Sequence, residues 1–190
     1  KSARDIVTMF GLFYGEESGD PRDGEFITTL LPLYKRAGWN YVALEADQRL
    51  DKYVGTTQLE SQFRAVHGDH WLTYALIVQK AQDLGMKVLF YDVPLNDIAH
   101  GGEVDYSIVR GEAQFLAIKK VFEQDPHARV ITVGSVGHAF NHPVEKSWLE
   151  PEKVNPFGMF LNDYVGASKI TRVMLNSEKT FIRLIEPQKR

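Results

Sequence analysis

Ile6-Val7-Thr8-Met9-Phe10-Gly11-Leu12-Phe13-Tyr14-Gly15-Glu16-Glu17-Ser18-Gly19-Asp20 joins a long apolar run to a pair of adjacent acids. From Ile6 to Tyr14 the residues are almost continuously apolar, the pattern of a strand covered on both faces. A helical segment opens near Asp23, so Glu16 and Glu17 fall on a turn from strand to helix. Open α/β sheets bind ligands at the carboxyl ends of their strands. Three later strands are expected to end the same way, on Glu45, Asp92 and His138.

Phe26, Ile27, Leu30, Leu31, Leu33 and Tyr34 recur at helical spacing up to Gly38, with Pro32 expected to kink or locally distort the helix. Tyr41 to Ala46 reads as a second strand, and residues 47–68 as one or two short helices over the sheet edge. A buried helix from Trp71 stops at Gly85, and Met86 to Val93 gives a third strand. Residues 96–103, with Gly101 and Gly102, read as a mobile loop, and Asp105 as the cap of the next helix. That helix carries the stripe Ile108, Phe115, Ile118, Phe122, with Arg110 and Gln114 one turn apart on a neighbouring face. Ala128 to Val133 is a fourth strand and Asn155 to Gly166 a short helix. Two last strands are joined as a hairpin through Asn176-Ser177-Glu178-Lys179. The expected class is therefore α/β, a mostly parallel central sheet with helices on both faces and a C-terminal antiparallel hairpin.

The 190 residues suit one domain, since domains usually span about 50 to 250 residues. Because the chain starts at Lys1, a longer or processed parent is expected. A net charge of −3 lacks the basic footprint of a nucleic-acid binder, leaving a small molecule or peptide as the expected ligand. With no cysteine, disulfides, thiolate metal sites and a cysteine nucleophile are excluded. No apolar run reaches the roughly 18 residues of a transmembrane segment.

Glu16, partly desolvated by Phe13 and Tyr14, can act as general base or hold a metal, or else cap the following helix. Glu45 lies among Val42, Ala43, Leu44 and Ala46, and a charge in that setting needs a partner. Arg110 can supply it as a planar donor fork, for the carboxylate or for a substrate oxyanion, and a plain buried ion pair is the structural alternative. Asp92, Tyr14 and Gln114 are candidate substrate contacts, Asp92 with the alternative of shaping a turn. His138 follows a strand and the turn Gly134-Ser135-Val136-Gly137, where an imidazole can transfer a proton or bind metal near neutral pH. Candidate catalytic residues are thus Glu16, Glu45, Arg110 and His138. Glu16, Glu45 and His138 double as candidate ligands of a divalent metal, whose identity the spacing leaves open. His67 and His70 fit a loop or cap role better than a metal site. Phosphate-cradling, Gly-x-Ser-x-Gly and His-Glu-x-x-His motifs are all missing.

In order, Gly15-Glu16, Glu25-Phe26, Val42-Ala43-Leu44-Glu45-Ala46, Arg110, Gly134-x-x-Gly137-His138-Ala139 and Pro156-Phe157-Gly158 resemble a known superfamily. It comprises erythromycin esterases, ChaN-type haem-uptake lipoproteins, and TraB and Tiki proteins, and the resemblance runs from about Val7 to Leu175. It implies an α/β domain with an acid on the first loop, a Glu on the second strand, an Arg, and a late His. It also implies hydrolases of esters, metal-dependent proteases, haem binders and domains of bacterial toxins, hence a secreted, envelope or host-delivered protein. A haem-binding role, with Tyr14 as axial ligand, ranks below the others. Ser18, Gly19 and Asp20 stand where active members carry a first histidine. That departure sets a hydrolase-like enzyme against a lapsed ligand-binding module.

Overall fold

Strand β2, Tyr41–Asp47, divides the molecule into two cores, because alternate side chains of a strand point to opposite faces. Val42, Leu44 and Ala46 join one buried cluster and Tyr41 and Ala43 the other. The computed structural model describes residues 5–11, 21–94, 102–135, 144–145, 153–154, 157–166, 169–174 and 183–185. Around β2 are β1 (Asp5–Gly11), β3 (Lys87–Asp92), β4 (Arg129–Ser135), β7 (Ile170–Met174) and β8 (Arg183–Ile185), in the order β3-β2-β4-β1-β7-β8. The pairs β1–β4, β1–β7, β2–β3 and β2–β4 are parallel, so these five strands end at one margin of the sheet. β8 lies antiparallel to β7. The turn expected at 176–179 lies outside the described residues, which do not support the C-terminal hairpin as a unit.

On the first face lie α1 (Pro21–Arg36), α2 (Leu59–His67) and α3 (Trp71–Asp83). Ile27 and Leu31 of α1, Phe63 of α2 and Ile77 of α3 pack there against Val42, Leu44 and Ile131. On the second face lie α4 (Gly102–Gln124) and α5 (Phe157–Val165), which place Ile118, Phe122, Phe157 and Leu161 against Ala43, Tyr91 and Val130. A short antiparallel pair, β5 (Val144–Glu145) with β6 (Lys153–Val154), stands where the sequence reads as loop.

Two expectations about α4 need correction. α4 begins at Gly102, so Asp105 lies inside its first turn rather than capping it; an acid there still suits the positive end of the helix dipole. The glycine pair Gly101-Gly102 had suggested a loop, but Gly102 already belongs to the helix. α1 runs through Pro32 uninterrupted. Ile27 and Leu31, both buried, anchor it before the proline, and the Thr28 and Thr29 hydroxyls donate to the Glu25 carbonyl.

Gly24 marks a close crossing of α1 over α3. A Cβ there would lie 2.6 Å from the Thr73 carbonyl oxygen, which is backbone and cannot swing away. Helix propensity alone favours Gly24→Ala by about 1 kcal/mol, whereas overpacking costs about 1–3 kcal/mol. Urea denaturation of Gly24→Ala is therefore expected to show net destabilisation.

At the outer margin of β3, Asp51 Oδ1 accepts the Phe90 N–H at 2.6 Å, from a short 3-10 segment, Gln48–Tyr53. Asp51 is an exposed residue with its carboxylate turned inward. Desolvation pushes that carboxyl from its ordinary 3.8 up to about 6, against the opposing pull of the Phe90 N–H and Lys120. Folded protein thus holds this proton at pH values where unfolded chain has lost it, so stability falls as pH rises from 3.8 through about 6. Asp51→Asn keeps an acceptor and removes the titration. Melting scans should show its advantage over the parent chain growing between pH 4 and pH 7, to a size limited by solvent screening.

Candidate functional site

Parity along β2 places Glu45 on the second face, with Tyr41 and Ala43, and therefore beneath α4. There Arg110 closes an ion triad. Its Nη2 donates to Glu45 Oε1 at 2.9 Å and to Asp92 Oδ2 at 2.5 Å, while its Nε donates to Asp92 Oδ1 at 2.9 Å. One turn along the helix, Gln114 Nε2 donates to the same Asp92 Oδ1 at 2.9 Å. The Glu45 and Asp92 side chains are only 7% and 8% exposed, and that of Arg110 25%. Such burial is tolerated because each carboxylate faces a guanidinium N–H rather than hydrocarbon.

Asp92 does more than shape a turn, although Oδ1 also accepts the N–H of Val93. It is the last residue of β3, where the pairing with β2 shifts register between Leu44 and Asp47. Gln114 is fully buried, and the bond from its Nε2 fixes the sense of the amide and leaves Oε1 without a partner.

The need for Gly134 follows from Glu45. A Cβ at position 134 would overlap both Glu45 Oε2 and the Tyr91 hydroxyl, and would press on Glu45 Cβ at 3.3 Å. Only a strand position without a side chain lets the carboxylate lie against β4. Phe10 and Gly11 of β1 lie opposite Gly134 and Ser135, so the chain leaves β1 and β4 at adjacent points. The segments carrying Glu16 and His138 start from those two points.

Two tyrosines went unnoticed in the sequence. Tyr91 is fully buried and donates to the Val133 carbonyl at 3.3 Å, and Tyr74 donates to the Glu45 carbonyl at 3.2 Å. Burial, then the negative charge of Glu45, raises both phenols well above the ordinary range, so both act as hydrogen-bond donors. Parity could have found Tyr91, which shares the face of Glu45.

Of the expected site residues, Glu45, Asp92, Arg110 and Gln114 converge; Glu16, Tyr14 and His138 lie outside the described residues. Among the described residues, no group of three or more His, Asp or Glu side chains could hold a metal ion. His67 Nε2 instead accepts the Asp47 N–H at 3.1 Å, a structural use. Asp47 is a second buried acid at the end of β2, but Arg49 takes it up through bonds of 2.6–3.1 Å. Burial raises its carboxyl, and the Arg49 contacts outweigh that and leave it below the ordinary value.

No family model and no curated protein matches the sequence. Solved structures do match. The C-terminal region of Pasteurella multocida toxin, described with a thiol-protease-like catalytic triad, aligns at TM-score 0.64 and 10% identity over 98% of this chain and 25% of that one. Erythromycin esterase EreC, in an open conformation, aligns at TM-score 0.58 and 10% identity over 97% of this chain and 76% of that one. The fold is shared with erythromycin esterase and with bacterial toxin domains. Among the latter, RRSP, a MARTX toxin effector domain from Vibrio vulnificus, aligns at TM-score 0.58 and 16% identity over 96% of this chain and 35% of that one. The chain spans only 25% to 37% of the first three toxin structures. Without cysteine, this member of the fold cannot use a thiol nucleophile.

Removing Arg110 leaves two buried carboxylates uncompensated. Arg110→Met should cost about 3–5 kcal/mol in urea denaturation. Adding Glu45→Gln and Asp92→Asn to it should restore a large part of that loss, because no charge of the triad then remains buried.

Proposed function

We propose that this is a hydrolase-like domain of a larger protein, related in fold to toxin effectors, acting on an ester or peptide at the carboxyl margin of the sheet. The observation that carries the reading is the convergence of Glu45, Asp92 and Arg110 at the strand ends, beside the points where the chain departs toward Glu16 and His138. In this reading Glu16 or His138 activates water, Glu45 orients its partner, and Arg110 offsets negative charge developing on the substrate. Asp92 and Gln114 hold the guanidinium in place, and Tyr14 contacts substrate. A divalent metal, if bound, would draw on Glu16, Glu45 and His138 and polarise the water or carbonyl.

Two observations favour a second reading, a domain that binds a ligand and has lost catalysis. Arg110 is already engaged by two carboxylates, and Ser18-Gly19-Asp20 stands where the resemblance implies a histidine. Haem ranks below both readings.

A panel of ester and peptide substrates separates the two. Hydrolysis by the parent chain that falls roughly a hundredfold or more in His138→Ala and in Glu45→Gln supports the enzyme. Turnover unchanged in both variants overturns the proposed site, and no turnover by the folded parent chain favours the lapsed module.

A further inference from the structure

Among the described residues β3 is the last strand on its side of the sheet, and a groove of about 720 Å³ runs along its margin. The Lys87 N–H turns inward to the Asn40 carbonyl at 2.9 Å. Backbone groups alternate along an edge strand, so those of Val88 and Phe90 point outward into the groove. Phe90 N–H is the one caught by Asp51 Oδ1. The carboxylate thus stands where a carbonyl of an added strand would stand.

The groove walls come from opposite layers. Ala117, Lys120 and Val121 belong to α4, whose Ile118 and Phe122 pack on the second face. Gln48 and Asp51 belong to the 3-10 segment, whose Leu50 packs on the first. An opening between two layers, in the plane of the sheet, admits a single extended chain. A second copy would have to bring its own α4 and 3-10 segment past these walls to pair here, whereas a lone peptide strand brings none.

We propose that the outer margin of β3 is a docking slot in which an extended acidic peptide adds to the sheet as a further strand, with Asp51 as the plug it displaces. The charge follows from the walls. Lys120 is exposed and lines the groove together with Lys87, against the single acid Asp51. Once Asp51 swings out, an acidic side chain of the peptide takes its place beside that ammonium. β3 ends at Asp92, so a peptide in the slot points toward the margin carrying Glu45 and Arg110. Docking itself requires no hydrolysis, so it stands or falls separately from the enzymatic reading.

The test is a nuclear magnetic resonance titration of the isotope-labelled full chain with a synthetic peptide of alternating valine and threonine around a central glutamate. Saturable shifts of the Val88 and Phe90 amides are expected, weakened when the central residue is lysine and abolished when alternate backbone nitrogens are methylated. Asp51→Ala should bind about tenfold tighter, the worth of one competing hydrogen bond, and Lys120→Glu should bind more weakly. The absence of saturable shifts at both amides, in the parent chain and in Asp51→Ala, overturns the proposal. So do shifts that track protein concentration without peptide, with a dimer mass in sedimentation, since a second copy then fills the margin.

Discussion

The guanidinium of Arg110 is the constraint around which the carboxyl margin of the sheet is arranged. Two carboxylates that would repel each other, one from β2 and one from β3, are buried side by side because a single planar cation stands between them. That contact ties α4 to two strands at once, while Gln114 braces Asp92 from the next turn of the helix. The triad thereby helps to hold the spacing of β2 and β3 at their carboxyl ends.

The two cores serve this arrangement differently. The first is closed by large apolar side chains, with Phe63 in contact with Trp71, Tyr74 and Phe90 at 5.2–5.9 Å, and carries most of the hydrocarbon. The second is apolar toward its base, at Ile118 and Phe122, and becomes polar toward the strand ends, where Tyr91, Gln114 and Glu45 gather. One helix therefore does two jobs. Its later turns bury the sheet, and its earlier turns reach over the strand ends with Arg110.

Much of this was legible because alternation and helical spacing are properties of the chain itself. Glu45 could be recognised as an acid among apolar neighbours, and Arg110 and Gln114 as residues one turn apart. Their meeting on Asp92 was less visible, since it depends on a register shift late in the β2–β3 pairing that no local pattern encodes. Gly134 reads in the sequence as the start of a turn, whereas the structure keeps it in β4, where its lack of a side chain is a matter of space. Asp105 misled because a capping residue type within a helix's first turn looks the same in sequence as one just before it. The margin of β3 and its Asp51 were illegible, because strand order across a sheet is a long-range fact.

Glu45 and Gly134 are effectively one variable shared by two strands: the reach of one side chain and the emptiness of the other add to a fixed width. Any redesign of this margin must alter them jointly. A shorter acid at 45 would still leave the Tyr91 hydroxyl in the way of a methyl at 134, so the space between β2 and β4 is set by three side-chain positions on three strands rather than by either residue alone.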